Sequence, residues 1–116
     1  MNFTLAHLSD VHLGPLPTGA FLRRFRLKRV VGAASWVTRR RQVHLPEVAN
    51  AIRASIVAEK PDHIACTGDM VNIAAWREFP PAAAWLNGLG SSEALSFTPG
   101  NHDAYVPVPW QHGLAH

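Results

Sequence analysis

Three short apolar segments of the sequence, each ending in a polar cluster, constrain the fold more than any other feature. Segments 3–8, 63–67 and 94–98 have the length and the composition of buried β-strands. Two segments with helical character separate them. The order strand, helix, strand, helix, strand predicts an α/β fold, with a parallel β-α-β-α-β core and right-handed crossover connections.

The two helices are predicted from proline positions and from apolar spacing. The first is predicted to begin at Pro46, since proline suits a first helical position, and to end near Lys60. The second is predicted to begin around 80–81 and to end near Gly88 or Gly90. Apolar residues recur at four-residue spacing along the first helix at Val48, Ile52 and Ile56.

Length and composition favour one cytoplasmic domain covering residues 1–116. The chain is 47% hydrophobic, enough to bury one core. Its single cysteine, Cys66, excludes an internal disulfide and is expected to be a buried apolar side chain without a nucleophilic role. The start of the chain has no pattern of a secretory signal. The longest uncharged stretch near the basic region, 30–38, is much shorter than the about 20 residues of a membrane span.

A basic segment interrupts the α/β pattern. Eight of the eleven Lys and Arg residues lie between Arg23 and Arg41, and no acidic residue occurs between Asp10 and Glu47. We interpret positions 15–43 as a basic insertion. It is expected either to bind an anionic membrane surface, with the protein peripheral to it, or to be a solvated surface segment. Nucleic acid is a less favoured partner, because no recognised module accompanies the charge.

The polar clusters carry the candidate chemistry. They are D-V-H at 10–12, G-D at 68–69 and G-N-H-D at 100–103, and each follows a predicted strand. The carboxyl ends of parallel strands lie along one edge of a sheet, so these clusters are expected to converge there. Carboxylate, amide and imidazole groups without a thiolate favour Mn, Fe or Zn. Asp69 has two carboxylate oxygens and can bridge two ions about 3.5–4 Å apart.

In this order the three clusters resemble the first three motifs of the calcineurin-like metallophosphoesterase family, over residues 3–103. The resemblance implies a four-layer αββα sandwich, of which this chain supplies the N-terminal half. It also implies a hydrolase that cleaves a phosphomonoester or phosphodiester substrate by means of a hydroxide bridging two divalent metal ions.

The resemblance assigns roles to matching positions. Asp10 and His12 would bind the first metal ion, Asp69 would bridge both ions, and Asn101 would bind the second.

The last two residues of the third motif would be catalytic. His102 would lie beside the reacting phosphoryl group, and would stabilise its charge or protonate the leaving oxygen. Asp103 would hold that imidazole in orientation. Asn72, three residues after Asp69, is expected either to bond into the site or to cap a turn.

The sequence departs from the family pattern after the third motif. The family has a later isolated histidine and a G-H-x-H pair, whereas His112 and His116 stand in a Pro-rich tail without that spacing. We therefore expect the chain to be the first part of a longer domain. Two alternatives stay open: a catalytically inactive metal-binding remnant, and a peripheral membrane-binding module that uses the basic segment.

Overall fold

The computed structural model describes residues 1–16, 45–107 and seven isolated positions, namely 30, 31, 34, 35, 37, 109 and 111. Of the predicted basic insertion at 15–43, only positions 15, 16, 30, 31, 34, 35 and 37 are described, and His112 and His116 lie outside the described residues.

The described residues form an α/β unit. Its elements in chain order are β1 (Leu5–Leu8), α1 (Pro46–Glu59), β2 (His63–Cys66), α2 (Phe79–Asn87) and β3 (Leu95–Phe97). The three strands form one parallel sheet in the order β1-β2-β3. The predicted α/β class and β-α-β-α-β order are therefore confirmed, and the arrangement is that expected for half of the sandwich.

The register of the sheet separates a buried face from an exposed one. Leu8 pairs with Cys66 and Ala6 with Ile64, so these side chains share a face, since alternate residues of a strand point to opposite sides. Ile64 and Cys66 are 3% and 1% exposed. This face, with the apolar side of α2, forms the core.

The other face of the sheet is more polar. His7 Nε2 lies 2.9 Å from the Thr67 hydroxyl. His63 Nε2 lies 2.9 Å from the Ser96 hydroxyl on the neighbouring strand. These two histidines, predicted within strands, thus have polar partners along the sheet.

The two helices lie side by side against the buried face. Trp85 Nε1 of α2 donates to Asn50 Oδ1 of α1 over 3.1 Å, and the Arg53 guanidinium lies 5.6 Å from the centre of the Trp85 ring. Both helices therefore cover the same side of the sheet, as two crossovers of one hand require when the strand order is sequential.

The four-residue apolar spacing identified α1 but not its buried side. Val48 and Ile52 are 51% and 48% exposed, whereas Ala49 is buried at 8%. Ile56 packs against the core, while Val48 and Ile52 line a cavity beside β1. No helix in the described part of the chain is long and apolar enough to cross a membrane.

Candidate metal centre

The polar clusters lie at the carboxyl ends of the strands, where adjacent loops continue the pairing of the sheet. Three backbone hydrogen bonds of 2.8 to 3.0 Å hold the loop after β1 beside the loop after β2. They run from the N–H groups of Asp10, His12 and Leu13 to the carbonyls of Gly68, Asp69 and Met70. The first two clusters are therefore fixed relative to each other by backbone alone.

The third cluster approaches the second through two glycines. Gly68 has a φ of +90°, and a Cβ added there would overlap the backbone of Gly100. A Cβ on Gly100 would in turn overlap the Asp69 carboxylate. This close approach lets the His102 N–H donate to Asp69 Oδ1 over 2.7 Å. Both positions need glycine because no side chain fits between the loops.

Three of the predicted ligands have an unusual backbone conformation. Asp10, His12 and Asp69 have φ angles of 57°, 45° and 56°, in the left-handed region that non-glycine residues seldom adopt. Such conformations cost about 1–3 kcal/mol each and concentrate at functional sites. The hydrogen bonds between the loops hold them in place.

The structure brings together three side chains of types that can bind a metal ion. His12, Asp69 and His102 each offer a ligand atom, and these atoms all lie within 4.8 Å of one another. Asp10 lies beside the group, with Oδ1 3.9 Å from His12 Nε2 and a side chain that is 66% exposed. Asn101 is exposed in the turn next to His102. Two imidazoles and a carboxylate at this spacing fit a divalent ion of the Mn, Fe or Zn class.

Both imidazoles of the group are oriented by backbone carbonyls. His12 Nδ1 donates to the Val71 carbonyl over 3.2 Å, and His102 Nδ1 donates to the Asn72 carbonyl over 2.6 Å. A carbonyl only accepts, so Nδ1 carries the proton and the neutral ring leaves Nε2 unprotonated. The His102 ring also stacks on Tyr105, with centroids 5.4 Å apart and planes at 4°.

Asp103 binds backbone groups of both loops. Its carboxylate accepts four N–H groups over 2.7 to 3.1 Å, from Asp69, Met70, Val71 and Gly100. The sequence assigned the orientation of the His102 imidazole to Asp103. In the structure the hydrogen bond to His102 Nδ1 is made by Asn72, while Asp103 joins the second loop to the third.

Glu78 binds backbone N–H groups further along the loop after β2, as Asp103 does at its start. The sequence did not predict this role. It is 4% exposed, and its carboxylate accepts the N–H groups of Asn72, Ile73 and Ala75 over 2.8 to 3.2 Å. Burial raises the pKa of Glu78, and these N–H groups oppose the rise in part. The contact with Ala75, three residues earlier, is like that of a capping-box glutamate, but the sequence has Ala75 where that motif has Ser or Thr and so gives no signal.

The side chain of Asn72 also belongs to this network. Its Nδ2 donates to the Leu13 carbonyl over 2.9 Å and lies 3.3 Å from Glu78 Oε1. Of the two expectations for Asn72, a bond into the site therefore fits better than a cap, and the Asn72 carbonyl is the group that reaches His102. Tyr105 was also missed, and its position two residues after the third motif gave no signal.

Comparison with known proteins identifies a family for the chain. The calcineurin-like phosphoesterase family profile matches residues 3–115. No curated protein and no solved structure matches the chain. With the family profile spanning nearly all 116 residues and its three motifs meeting at one edge of a parallel sheet, the chain belongs to the calcineurin-like phosphoesterase family.

Proposed function

We propose that this protein is a metal-dependent phosphoesterase domain that hydrolyses a phosphomonoester or a phosphodiester with two divalent ions of the Mn, Fe or Zn class. The observation that carries the proposal is the group formed by His12, Asp69 and His102, whose ligand atoms lie within 4.8 Å of one another. Family membership supports the same chemistry.

The proposed ligand roles are those that the family resemblance assigns. Asp10 and His12 would hold one ion, because a separation of 3.9 Å between Oδ1 and Nε2 can be spanned by an ion whose ligands lie about 2.0–2.2 Å away. Asp69 would bridge the ions and Asn101 would bind the second. When bound, the ions would supply Lewis acidity and activate water.

His102 would act on the leaving group. Its Nδ1 proton is held by the Asn72 carbonyl, so a second proton would bind at Nε2 and give an imidazolium. That form can stabilise negative charge on the phosphoryl group and give the Nε2 proton to the leaving oxygen. Stacking on Tyr105 would limit rotation of the ring during this transfer.

Metal binding is the first test. Isothermal titration calorimetry with Zn²⁺ and with Mn²⁺ should show binding that Asp69→Asn weakens by about 100-fold or more, because even the loss of a group behind a metal ligand costs about 10–100-fold. Glu93→Gln is a charge-matched control, since Glu93 is exposed and precedes β3 at the opposite edge of the sheet. Equal affinity of the Asp69→Asn protein and the wild type would contradict the bridging role.

Hydrolysis is the second test. With Mn²⁺ added, bis(4-nitrophenyl) phosphate or 4-nitrophenyl phosphate should be cleaved, and His102→Ala should lower the rate by about 10²–10⁴-fold while metal affinity changes far less. His63→Ala is the matched histidine control, because His63 begins β2 at the other end of the strand. A His102→Ala protein with the wild-type rate would contradict the role of His102.

A second function, metal binding without hydrolysis, is favoured by one observation. The group found among the described residues holds three ligands, which are enough for one ion but sparse for two. A stoichiometry of one ion without cleavage of either substrate would support this reading against the phosphoesterase.

A further inference from the structure

We infer that Glu78 is a positioning residue that fixes the tautomers of His12 and His102 through two consecutive peptide groups. Each oxygen of its carboxylate holds one of these peptide groups from the N–H side. On the carbonyl side, His12 binds the first of the two peptide groups and His102 binds the second.

The first peptide group joins Val71 to Asn72. Its carbonyl accepts the Nδ1 proton of His12 over 3.2 Å, and its N–H donates to Glu78 Oε1 over 2.8 Å. One planar unit therefore connects the imidazole to the carboxylate.

The second peptide group joins Asn72 to Ile73 and repeats the arrangement. Its carbonyl accepts the Nδ1 proton of His102 over 2.6 Å, and its N–H donates to Glu78 Oε2 over 3.2 Å. Both histidines thus depend on the same side chain, although Glu78 stands 66 positions from His12 in the sequence, counting from 12 to 78.

The carboxyl group of Glu78 offers two acceptor oxygens to its surroundings, whereas a Gln side chain offers one. Four N–H donors face its two oxygens, since Ala75 N–H reaches Oε2 over 2.8 Å and Asn72 Nδ2 reaches Oε1 over 3.3 Å. A Gln side chain would turn an NH₂ group toward some of these donors. The loop would then have to shift, or buried N–H groups would lose their partners.

A carboxylate at one end of a peptide group affects the histidine at the other. Hydrogen bonds in a chain polarise one another, so an ionised Glu78 makes each carbonyl a stronger acceptor for Nδ1–H. A metal-binding histidine commonly donates its second ring N–H to a carbonyl or carboxylate, which fixes the tautomer and raises the basicity of the ligand nitrogen. Glu78 would supply this effect to His12 as a metal ligand, and it would fix the same tautomer in His102, the proposed proton donor.

Asp103 gives an internal comparison. It holds the three preceding peptide groups of the loop from the N–H side, but their carbonyls accept backbone N–H groups from the loop after β1. Asp103 therefore shapes the loop, whereas the peptides held by Glu78 are those that reach the imidazoles.

The test is the tautomeric state of both rings in the metal-free protein. Long-range ¹H–¹⁵N correlation spectra at about pH 8, above the usual imidazole pKa, should show Nδ1–H at His12 and at His102 in the wild type. Glu78→Gln should populate the Nε2–H form at both rings, and Glu93→Gln should leave both spectra unchanged. Amide spectra show whether each variant keeps its fold.

The consequence for metal binding rests on the proposed function and is measured separately. Zn²⁺ affinity of Glu78→Gln should fall by about 10–100-fold, the usual effect of losing a group behind a metal ligand. Altered tautomers would support the role of Glu78 even if the protein hydrolysed neither substrate.

Two results would overturn the inference. One is a wild-type protein in which either ring carries its proton on Nε2, a measurement that no folding defect can obscure. The other is a folded Glu78→Gln protein with both tautomers and the Zn²⁺ affinity of the wild type. Either result would leave the phosphoesterase proposal standing.

Discussion

At the scale of single residues, the site depends on glycines that let its loops approach. Gly68 has a φ of +90°, and the backbone of Gly100 occupies the position that a Cβ on Gly68 would take. Gly68→Ala should lower the free energy of unfolding by about 2 kcal/mol or more. The alanine would have to adopt a left-handed conformation, and its Cβ would clash with the backbone of Gly100. Gly90→Ala is the control, since its Cβ would meet only Ile64 Cδ1 at 3.9 Å. Urea unfolding measures both, and equal losses would contradict the argument.

Cys66 should be unreactive in the folded protein. The thiol is 1% exposed, and burial raises its pKa, with a further rise from the Asp103 charge and an opposing effect of the Gly68 N–H. Because the thiolate is the reactive form, a disulfide reagent at about pH 8 should modify Cys66 only after unfolding in urea. Rapid modification of the native protein would show that β2 is less protected than the structure indicates.

Sequence reasoning located motif residues better than the residues that support them. Asp10, His12 and Asp69 follow strands at recognisable spacing, so their meeting at one sheet edge was predictable. Glu78 acts on backbone N–H groups, and such contacts place almost no demand on the identity of neighbouring side chains. Its role therefore emerges only when the loop has a conformation.

At the scale of elements, a buried loop joins β2 to α2. Residues Met70 to Ala75 are all at most 1% exposed. A buried irregular segment must find partners for its backbone polar groups, and Asp103 and Glu78 provide them for most of its N–H groups. This explains how two buried carboxyl groups can stabilise a loop, since they give its buried N–H groups the acceptors that water would otherwise supply.

The raised pKa of Glu78 gives this loop a pH dependence. The folded state binds the proton more tightly than the unfolded state, whose value is near 4.5. The pH-dependent part of the contribution of Glu78 to stability is therefore fully present below about pH 4.5 and is lost as pH rises through the raised pKa. Urea unfolding of the wild type and of Glu78→Gln between pH 4 and 8 isolates the effect. The stability of the wild type minus that of Glu78→Gln should fall with rising pH, and a constant difference would contradict this sign.

The contact between α1 and α2 can be measured as a coupling. Trp85 Nε1 donates to Asn50 Oδ1 over 3.1 Å. A double-mutant cycle with Asn50→Ala and Trp85→Phe should give an interaction energy of about 1 kcal/mol, the usual net value of such a bond. Urea unfolding of the four proteins provides it. Additive losses would mean that the helices are joined by apolar packing alone.

Elements were predictable to within one or two residues, but their buried sides were less so. Pro46 and the Lys60-Pro61 pair define α1, since Lys60 ends the helix with a φ of 49°. Which side of α1 faces the core depends on Trp85 and on the angle between the helices. That information is tertiary, and spacing along one helix does not contain it.

At the scale of the whole molecule, most basic residues lie in one stretch of the sequence that contains none of the predicted metal ligands. Eight of the eleven basic residues lie between Arg23 and Arg41, while the predicted metal ligands carry carboxylates on either side of that block. We propose that the block binds an anionic membrane surface. The attraction of basic segments to anionic lipid is worth about 1 kcal/mol for each charge near the surface and is screened by salt.

A matched pair of variants tests the proposal against a general effect of net charge. Arg40→Gln/Arg41→Gln and Lys60→Gln/Arg77→Gln each remove two positive charges, taking the net charge from +3 to +1. Co-sedimentation with vesicles containing phosphatidylserine should show that the first pair weakens binding by about 30-fold, the equivalent of 2 kcal/mol, and that the second has far less effect. Neutral phosphatidylcholine vesicles and added salt should abolish binding of every protein. Equal losses for the two pairs would show that the segment has no special part in adsorption, and equal binding to both kinds of vesicle would exclude an electrostatic origin.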